Sequence, residues 1–299
     1  MQYSHFIAAE AAKPINHIYF SGITEFLYSP IAPFINPADA LIFALGDKPI
    51  IGCFLSFEYS ASEISWLNPK LVIEQCKAGV IGSFPALNAR PKEMLDDWLY
   101  EIKESLDIYN KLNPNNLAAP FAINQIVHRT NDRIEHDMEM TVKHKVPVVI
   151  TSLGARPEVY DAVHSYGGIV LHDIINNFFA RKAIEKGADG LIAVAAGAGG
   201  HAGTTSPFAL IQEIREWFDG PIALSGSIST GRGILSALAS GADFAYIGSA
   251  FIATQEANAN ESYKDAITKY NSNDIVYTDL VTGVRGNYLK PSLAAAGFD

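Results

Sequence analysis

The sequence predicts an α/β protein in which eight parallel strands close into a barrel surrounded by helices. Short apolar runs recur with helical segments between them, and several runs are nearly continuous in Val, Ile, Leu and Ala. Such runs are typical of parallel strands, which are buried on both faces. The alternative fold, an open Rossmann or flavodoxin-like sheet, carries its glycine fingerprint after the first strand, whereas the glycine-rich turns here come late. The strand count and the glycines favour the barrel.

Eight strand segments are predicted in chain order. The first lies within residues 40–55, and seven more follow at residues 79–83, 121–126, 146–153, 169–174, 190–196, 221–228 and 244–251. This count, with a helix between successive strands, is that of a parallel (β/α)8, or TIM, barrel.

Helix boundaries carry their own signals. A Ser-Pro pair supplies an N-cap and a first-turn proline for a helix predicted over residues 206–218. Gly-Ala-Asp occurs at residues 187–189 and again at 241–243, each time between a helical segment and a buried strand. Glycine suits a left-handed helix C-cap, so this echo indicates a repeated α/β unit.

Composition limits the class of protein and its partners. The 299 residues are 48% hydrophobic and 18% charged, so we expect one folded domain over residues 1–299, with an irregular N-terminal extension over residues 1–40. A formal charge of -10 argues against nucleic acid or an anionic membrane as partner. The N-terminus has no signal-peptide pattern, and Cys53 and Cys76 make no disulfide framework. A cytoplasmic location is expected. The sequence does not predict the oligomeric state.

Two late turns have the composition of an anion site. Barrel ligands bind at the carboxyl ends of the strands, and a phosphate often rests on the loops after the seventh and eighth. Those loops contain Gly226 with Ser227, and Gly248 with Ser249. Backbone N–H groups and hydroxyls are the donors that such a site uses. Tight turns without a ligand have the same composition, but two adjacent ones favour phosphate.

His201 lies in the stretch GAGGHAG, residues 197–203, directly after the sixth predicted strand. Its neighbours have almost no side chains to shield it, so an imidazole there could exchange protons with a substrate. Asn124 ends another strand and is a candidate to hydrogen-bond a heterocycle. His172 and Asp173 also end a strand, but no ligand spacing supports a metal site, and a structural or secondary role is expected for that pair.

Several segments together resemble the nitronate monooxygenase family, formerly called 2-nitropropane dioxygenases. They are AAGAGGHAGTTSPFALIQEIR, ALSGSISTGRG, ADFAYIGSAFIAT, FAINQIVHRTNDR and KAGVIGSFPALNARP. The likeness runs from about residue 68 to the C-terminus. Its A-G-G-H-x-G core is shared with flavin-dependent enoyl-acyl-carrier-protein reductases and NADH:quinone reductases.

The resemblance implies a TIM barrel that binds FMN non-covalently and places His201 near its reactive face. The flavin-contacting positions it implies here are Asn124, Gly199, Gly200, Gly226, Ser227, Gly248 and Ser249. Glycine suits such positions because a Cβ would hold the flavin away from the backbone. The sequence departs from the family where residues 49–66 replace an Ala-Pro-Met turn, and where Gly197 and Val194 stand in place of Glu and Gln.

The implied activity is oxidation of alkyl nitronates or nitroalkanes with O2 to carbonyl compounds and nitrite. His201 would bind the nitronate when cationic, or remove the acidic α-proton of a nitroalkane when neutral. The alternatives are an NAD(P)H-dependent FMN reductase of quinones or enoyl thioesters, a flavin-binding protein with little catalysis, and a barrel that isomerises a sugar phosphate.

Overall fold

The computed structural model of the protein describes residues 50–52 and 67–298. The predicted extension over residues 1–40, Cys53 and most of the segment that replaces the Ala-Pro-Met turn lie outside the described residues. Burial raises the pKa of the Cys76 thiol to about 12. In the described part of the chain, we find no helix with the length and apolar character needed to span a membrane.

Eight parallel strands form a closed barrel, which confirms the predicted fold class. Numbered along the whole chain, they are β1 (Ile50–Gly52), β2 (Ile81–Pro85), β3 (Ala122–Ile126), β4 (Val148–Ser152), β5 (Ile169–Ile174), β6 (Gly190–Val194), β8 (Ile222–Ser225) and β9 (Phe244–Ile247). Ile51 pairs with Ile81 on one side and Tyr246 on the other, so β1 closes the barrel. Each strand overlaps a predicted segment.

Helices surround the barrel. They are α1 (Pro69–Lys77), α2 (Met94–Leu112), α3 (Ile134–His144), α4 (Pro157–His164), α5 (Asn177–Glu185), α6 (Pro207–Arg215), α7 (Gly231–Ala239), α8 (Ser249–Ile252), α9 (Glu261–Lys269) and α10 (Lys290–Ala295). The helix predicted over residues 206–218 begins as expected but ends at Arg215. The Arg215 guanidinium donates to the carbonyl oxygens of Phe218 and Gly220, which stabilises a turn in place of a further helical turn.

A second, smaller sheet was not anticipated from the sequence. Its three antiparallel strands are β7 (Gly200–His201), β10 (Ile275–Thr278) and β11 (Gly286–Leu289), in the order β10-β11-β7. β10 and β11 form a hairpin, and β11 also pairs with β7. The small sheet therefore joins the C-terminal part of the chain to the loop after β6.

Strand alternation sorts the core into two layers. One cluster consists of strand and loop residues and fills the barrel interior, with Leu171 and Ile192 among its members. The other cluster includes helix residues and packs Val170 and Leu191 between the strands and the helices. Because successive side chains point to opposite faces, each strand residue can be assigned to the inside or the outside of the barrel.

The Gly-Ala-Asp echo has a structural basis. Gly187 and Gly241 have φ values of 103° and 106°, as left-handed turns after helices require. The Asp189 carboxylate accepts the N–H of Val170 at 2.7 Å, and Asp243 accepts that of Ile222 at 2.8 Å. Each aspartate thus secures the start of the preceding strand of the barrel.

The Asp243 contacts yield a stability prediction. Asp243 Oδ2 also lies 2.6 Å from Arg215 Nη2 in a mostly buried ion pair. We expect Asp243→Asn to lower the free energy of unfolding by about 1–3 kcal/mol, because it weakens a charge-assisted bond and leaves Arg215 without its anion. Urea denaturation measures this change. The exposed Asp219→Asn is the control, with an expected change within about 0.5 kcal/mol; equal effects would contradict the assignment.

Candidate active site at the barrel mouth

The loops that follow β6 and β8 contact each other at the carboxyl-terminal rim of the barrel. The Ser227 N–H donates to the Gly197 carbonyl at 3.0 Å, and the Ser227 hydroxyl donates to the same oxygen at 3.2 Å. Gly197 has φ +86°, and a Cβ there would clash with Ser227 Oγ. Gly226 has φ +144°, and its Cβ would lie 2.8 Å from the Ala196 carbonyl oxygen. These two glycines allow the loops to pack together.

This packing gives two of the glycines a role within the protein. A Cβ at Gly197 or at Gly226 would meet atoms of the neighbouring loop. The Ser227 amide, predicted as an anion donor, is used between the loops.

Of the remaining predicted positions, Gly248, Ser249 and Gly199 leave backbone groups at the mouth, whereas Gly200 is buried in β7. Gly248 is the N-cap of α8, and Ser249 is its first residue and is exposed. The first amides of a helix have no intrahelical acceptors, so they can bind an anion. Gly199 is exposed on the loop after β6. Because β6, β8 and β9 are neighbours, the predicted glycine turns lie on one side of the rim.

His201 lies in β7 and is half-buried. Its Nε2 is 2.8 Å from Thr282 Oγ1, in the segment between β10 and β11. The Thr282 hydroxyl is also within hydrogen-bonding distance of the Val284 carbonyl and of the Tyr288 hydroxyl. Desolvation lowers the His201 pKa below its ordinary value, so the neutral imidazole is the main form at neutral pH.

The β10–β11 hairpin holds the histidine loop on both sides of the imidazole. Gly286 pairs with His201 across the small sheet. The Asn287 side chain donates to the Ala198 carbonyl at 2.7 Å, and the Tyr277 hydroxyl donates to the Ala202 carbonyl at 2.9 Å. Sequence reasoning missed these residues because the pairing joins segments far apart in the chain, and no local motif marks it.

Asn124 lies on the inner wall of the barrel and is fully buried. Its Nδ2 donates to Ser152 Oγ at 2.7 Å, while its Oδ1 has no hydrogen-bond partner. The Ser152 hydroxyl and the Leu153 N–H in turn donate to the carboxylate of Asp173 on β5. Burial raises the pKa of Asp173 to about 7. Sequence reasoning had given Asp173 a structural or secondary role; counting the strand alternation from Leu171 would have put it inside the barrel.

The His172 side chain points to the outside of the barrel, opposite to Asp173. Its Nδ1 lies 2.6 Å from Thr151 Oγ1 and 3.0 Å from the Tyr160 hydroxyl of α4, behind the barrel wall. Burial lowers its pKa to about 4, so it is neutral and structural. Over the described ranges, no group of three metal-ligating side chains is assembled.

The fold and this rim define a TIM barrel whose mouth combines glycine turns with one positioned histidine. A family model for nitronate monooxygenase matches residues 73–290. The chain belongs to that family.

Two curated relatives illustrate the similarity. A probable nitronate monooxygenase of Staphylococcus aureus is 27% identical, over 49% of this chain and 44% of its own length. A (3aS,4S,5R,7aS)-5-hydroxy-7a-methyl-1-oxo-octahydro-1H-indene-4-carboxyl-CoA dehydrogenase of Rhodococcus jostii is 26% identical, over 58% of this chain and 49% of that protein. The chain thus spans about half the length of the curated relatives it matches.

Solved structures agree on the fold. FabK from Thermotoga maritima superposes with a TM-score of 0.69 at 23% identity, covering 86% of this chain and 75% of that one. A nitroalkane oxidase from Streptomyces ansochromogenes also gives 0.69 at 23% identity, covering 84% and 79%.

The contact between Gly197 and Ser227 yields a second prediction. We expect Gly197→Ala to lower the free energy of unfolding by about 1–3 kcal/mol, from backbone strain together with the clash. Gly167→Ala is the matched control, because Gly167 has φ +82° but no atom within 4 Å of its Cβ position, so it measures the strain alone. Ser227→Ala should recover part of the Gly197→Ala loss in a double-mutant cycle of urea unfolding. Additive effects would contradict the contact.

Proposed function

We propose that the protein is an FMN-dependent nitronate monooxygenase that converts alkyl nitronates and nitroalkanes with O2 to carbonyl compounds and nitrite. The observation that carries this proposal is the half-buried His201, held by Thr282 and the β10–β11 hairpin beside the glycine-rich rim. Membership of the nitronate monooxygenase family supports it, as does the name of the Staphylococcus aureus relative.

The described residues fit a flavin. Asn124 presents a buried oxygen without a partner toward the barrel interior, which suits an N–H of a heterocyclic ring. On the opposite side of the mouth, Gly226, Gly248 and Ser249 line adjacent turns that would hold the phosphate. Gly199 and Gly200 would face the ring, and Ser227 would support the turn through Gly197. When bound, FMN supplies the electron-transfer chemistry, and the protein supplies position and protonation.

His201 acts on the substrate in its neutral form. Its lowered pKa leaves the imidazole able to accept the α-proton of a nitroalkane at neutral pH. Thr282 orients the ring, so the base is positioned before the substrate arrives. A nitronate has already lost that proton, and for this substrate the imidazole only binds and orients the nitro oxygens.

A second candidate is a reductase or dehydrogenase that acts on a thioester with a nicotinamide cosubstrate. It is favoured by the Rhodococcus jostii relative, whose name gives a carboxyl-CoA dehydrogenase. Rapid anaerobic bleaching of the bound flavin by NADH or NADPH would support this candidate. Nitrite release from propionate 3-nitronate under air, without such bleaching, would support the monooxygenase.

Replacing His201 tests the proposal directly. We expect His201→Gln to purify with a flavin absorption spectrum and to lose about 10²–10⁴-fold in turnover of nitroalkane, because the proton acceptor is gone while the rim turns stay intact. Nitrite release and the visible spectrum are the two readouts. His164→Gln, on the outer helix α4, is the matched control and should keep full activity. A colourless wild-type protein would refute the flavin site.

The pH dependence separates the two roles of the imidazole. With a neutral nitroalkane, kcat/KM should fall about tenfold per pH unit below the His201 pKa, which desolvation lowers, because protonation removes the base. With a preformed nitronate, kcat/KM should not fall over the same range. Initial rates of nitrite release measure both profiles. Identical acid limbs for the two substrates would contradict the general-base role.

A further inference from the structure

Three polar side chains form a row on the inner wall of the barrel, at the carboxyl ends of β3, β4 and β5. They are Asn124, Ser152 and Asp173. We propose that Asp173 is a ligand-binding residue of the mouth, whose carboxyl group hydrogen-bonds a carbonyl group of a lactam-containing heterocycle. The inference rests on the proposed flavin site and adds a contact that the glycine turns and His201 do not supply.

The hydrogen bonds between the three side chains run toward Asp173. Asn124 Nδ2 donates to Ser152 Oγ at 2.7 Å, and the Ser152 hydroxyl donates to the Asp173 carboxyl. Because the amide nitrogen of Asn124 is used in this way, its Oδ1 is the group left buried without a partner. The row therefore ends in a hydrogen-bond acceptor on β3 and in a carboxyl group on β5.

The backbone at the end of β4 places a hydrogen-bond donor next to the Asp173 carboxyl group. The Leu153 N–H donates to Asp173, and Leu153 has φ +61°, which is uncommon for a residue other than glycine. Strained backbone of this kind persists where surrounding contacts enforce it, and it is concentrated at ligand sites. Two donors thus hold Asp173 in place.

The surroundings of Asp173 favour its protonated form. In residues 67–298, no cationic side chain forms an ion pair with it. The titratable groups nearby are Tyr160 of α4, His172 on the outer face of β5, and Lys186, whose charge acts on His172. Leu171 and Ile192 make the adjacent inner wall apolar. Desolvation outweighs the two hydrogen bonds and raises the Asp173 pKa to about 7.

The two ends of the row identify the ligand class. Asn124 Oδ1 accepts a hydrogen bond from a ring N–H, and protonated Asp173 donates one to a ring carbonyl. Adjacent N–H and carbonyl groups define a lactam, which the pyrimidine part of a flavin contains. When Asp173 ionises, the donor is lost and a negative charge faces the ring carbonyls, so binding weakens.

The test measures the dissociation constant of riboflavin from the flavin-free protein at pH 6 and pH 8.5, by quenching of flavin fluorescence. Riboflavin replaces FMN because the phosphate of FMN titrates in the same range. Wild type should bind at least about tenfold more weakly at pH 8.5, since only the neutral acid binds well. Asp173→Asn keeps a donor that does not titrate, so its constant should change less than about twofold. Asp173→Ala should bind weakly at both pH values.

The exposed Asp161→Asn on α4 is the matched control and should follow wild type. Wild type and Asp173→Asn both keep His201. The difference between their pH dependences of riboflavin binding therefore reports the titration of Asp173. The inference would be overturned if the riboflavin dissociation constant changed equally with pH in wild type and Asp173→Asn. It would also be overturned if Asp173→Ala bound riboflavin as tightly as wild type. Difference infrared spectra of the flavin-free proteins provide a second readout: wild type and Asp161→Asn should lose a protonated carboxyl band with a midpoint near pH 7, and the two Asp173 variants should not. Absence of that band overturns the inference, whereas its presence without any flavin binding overturns the proposed flavin site.

Discussion

The pairing of β7 with β11 determines where the imidazole of His201 lies. The loop after β6 is rich in glycine and would be costly to order by itself, because glycine loses the most backbone freedom on folding. Gly286 and Asn287 pair with His201 and Gly200, and side chains of the hairpin secure the carbonyl groups on either side. The barrel forms the rim, and the small sheet orders the glycine-rich loop after β6 that contains His201.

Desolvation acts on both ionisable groups of the mouth and moves them in opposite directions. It lowers the pKa of His201 and raises that of Asp173, and in each case it favours the neutral form. The uncharged forms of both groups suit the flavin ring and the carbon-acid substrate of the proposed function. His172 is neutral for the same reason, but strand alternation places it behind the wall, where it bonds Thr151 and Tyr160.

The sequence predicted the barrel well because buried parallel strands carry their own signal. All eight strands overlap predicted segments, and the glycines of the Gly-Ala-Asp turns have the expected left-handed backbone. The β10–β11 hairpin was missed because its partner is remote in sequence. The early end of α6 at Arg215 was missed because it depends on a side-chain contact, in which the Arg215 guanidinium binds the carbonyl oxygens of Phe218 and Gly220. The contact of Gly197 with Ser227 was not predicted, because it joins two loops that are 30 residues apart in the chain.

A crystal structure of the purified protein with its bound cofactor is the most direct test of the account. We predict a flavin whose phosphate rests on the turns at Gly226 and Gly248, with its ring between His201 and the oxygen of Asn124. A flavin bound elsewhere, or a mouth closed by the protein's own side chains with the imidazole turned into the apolar core, would contradict it.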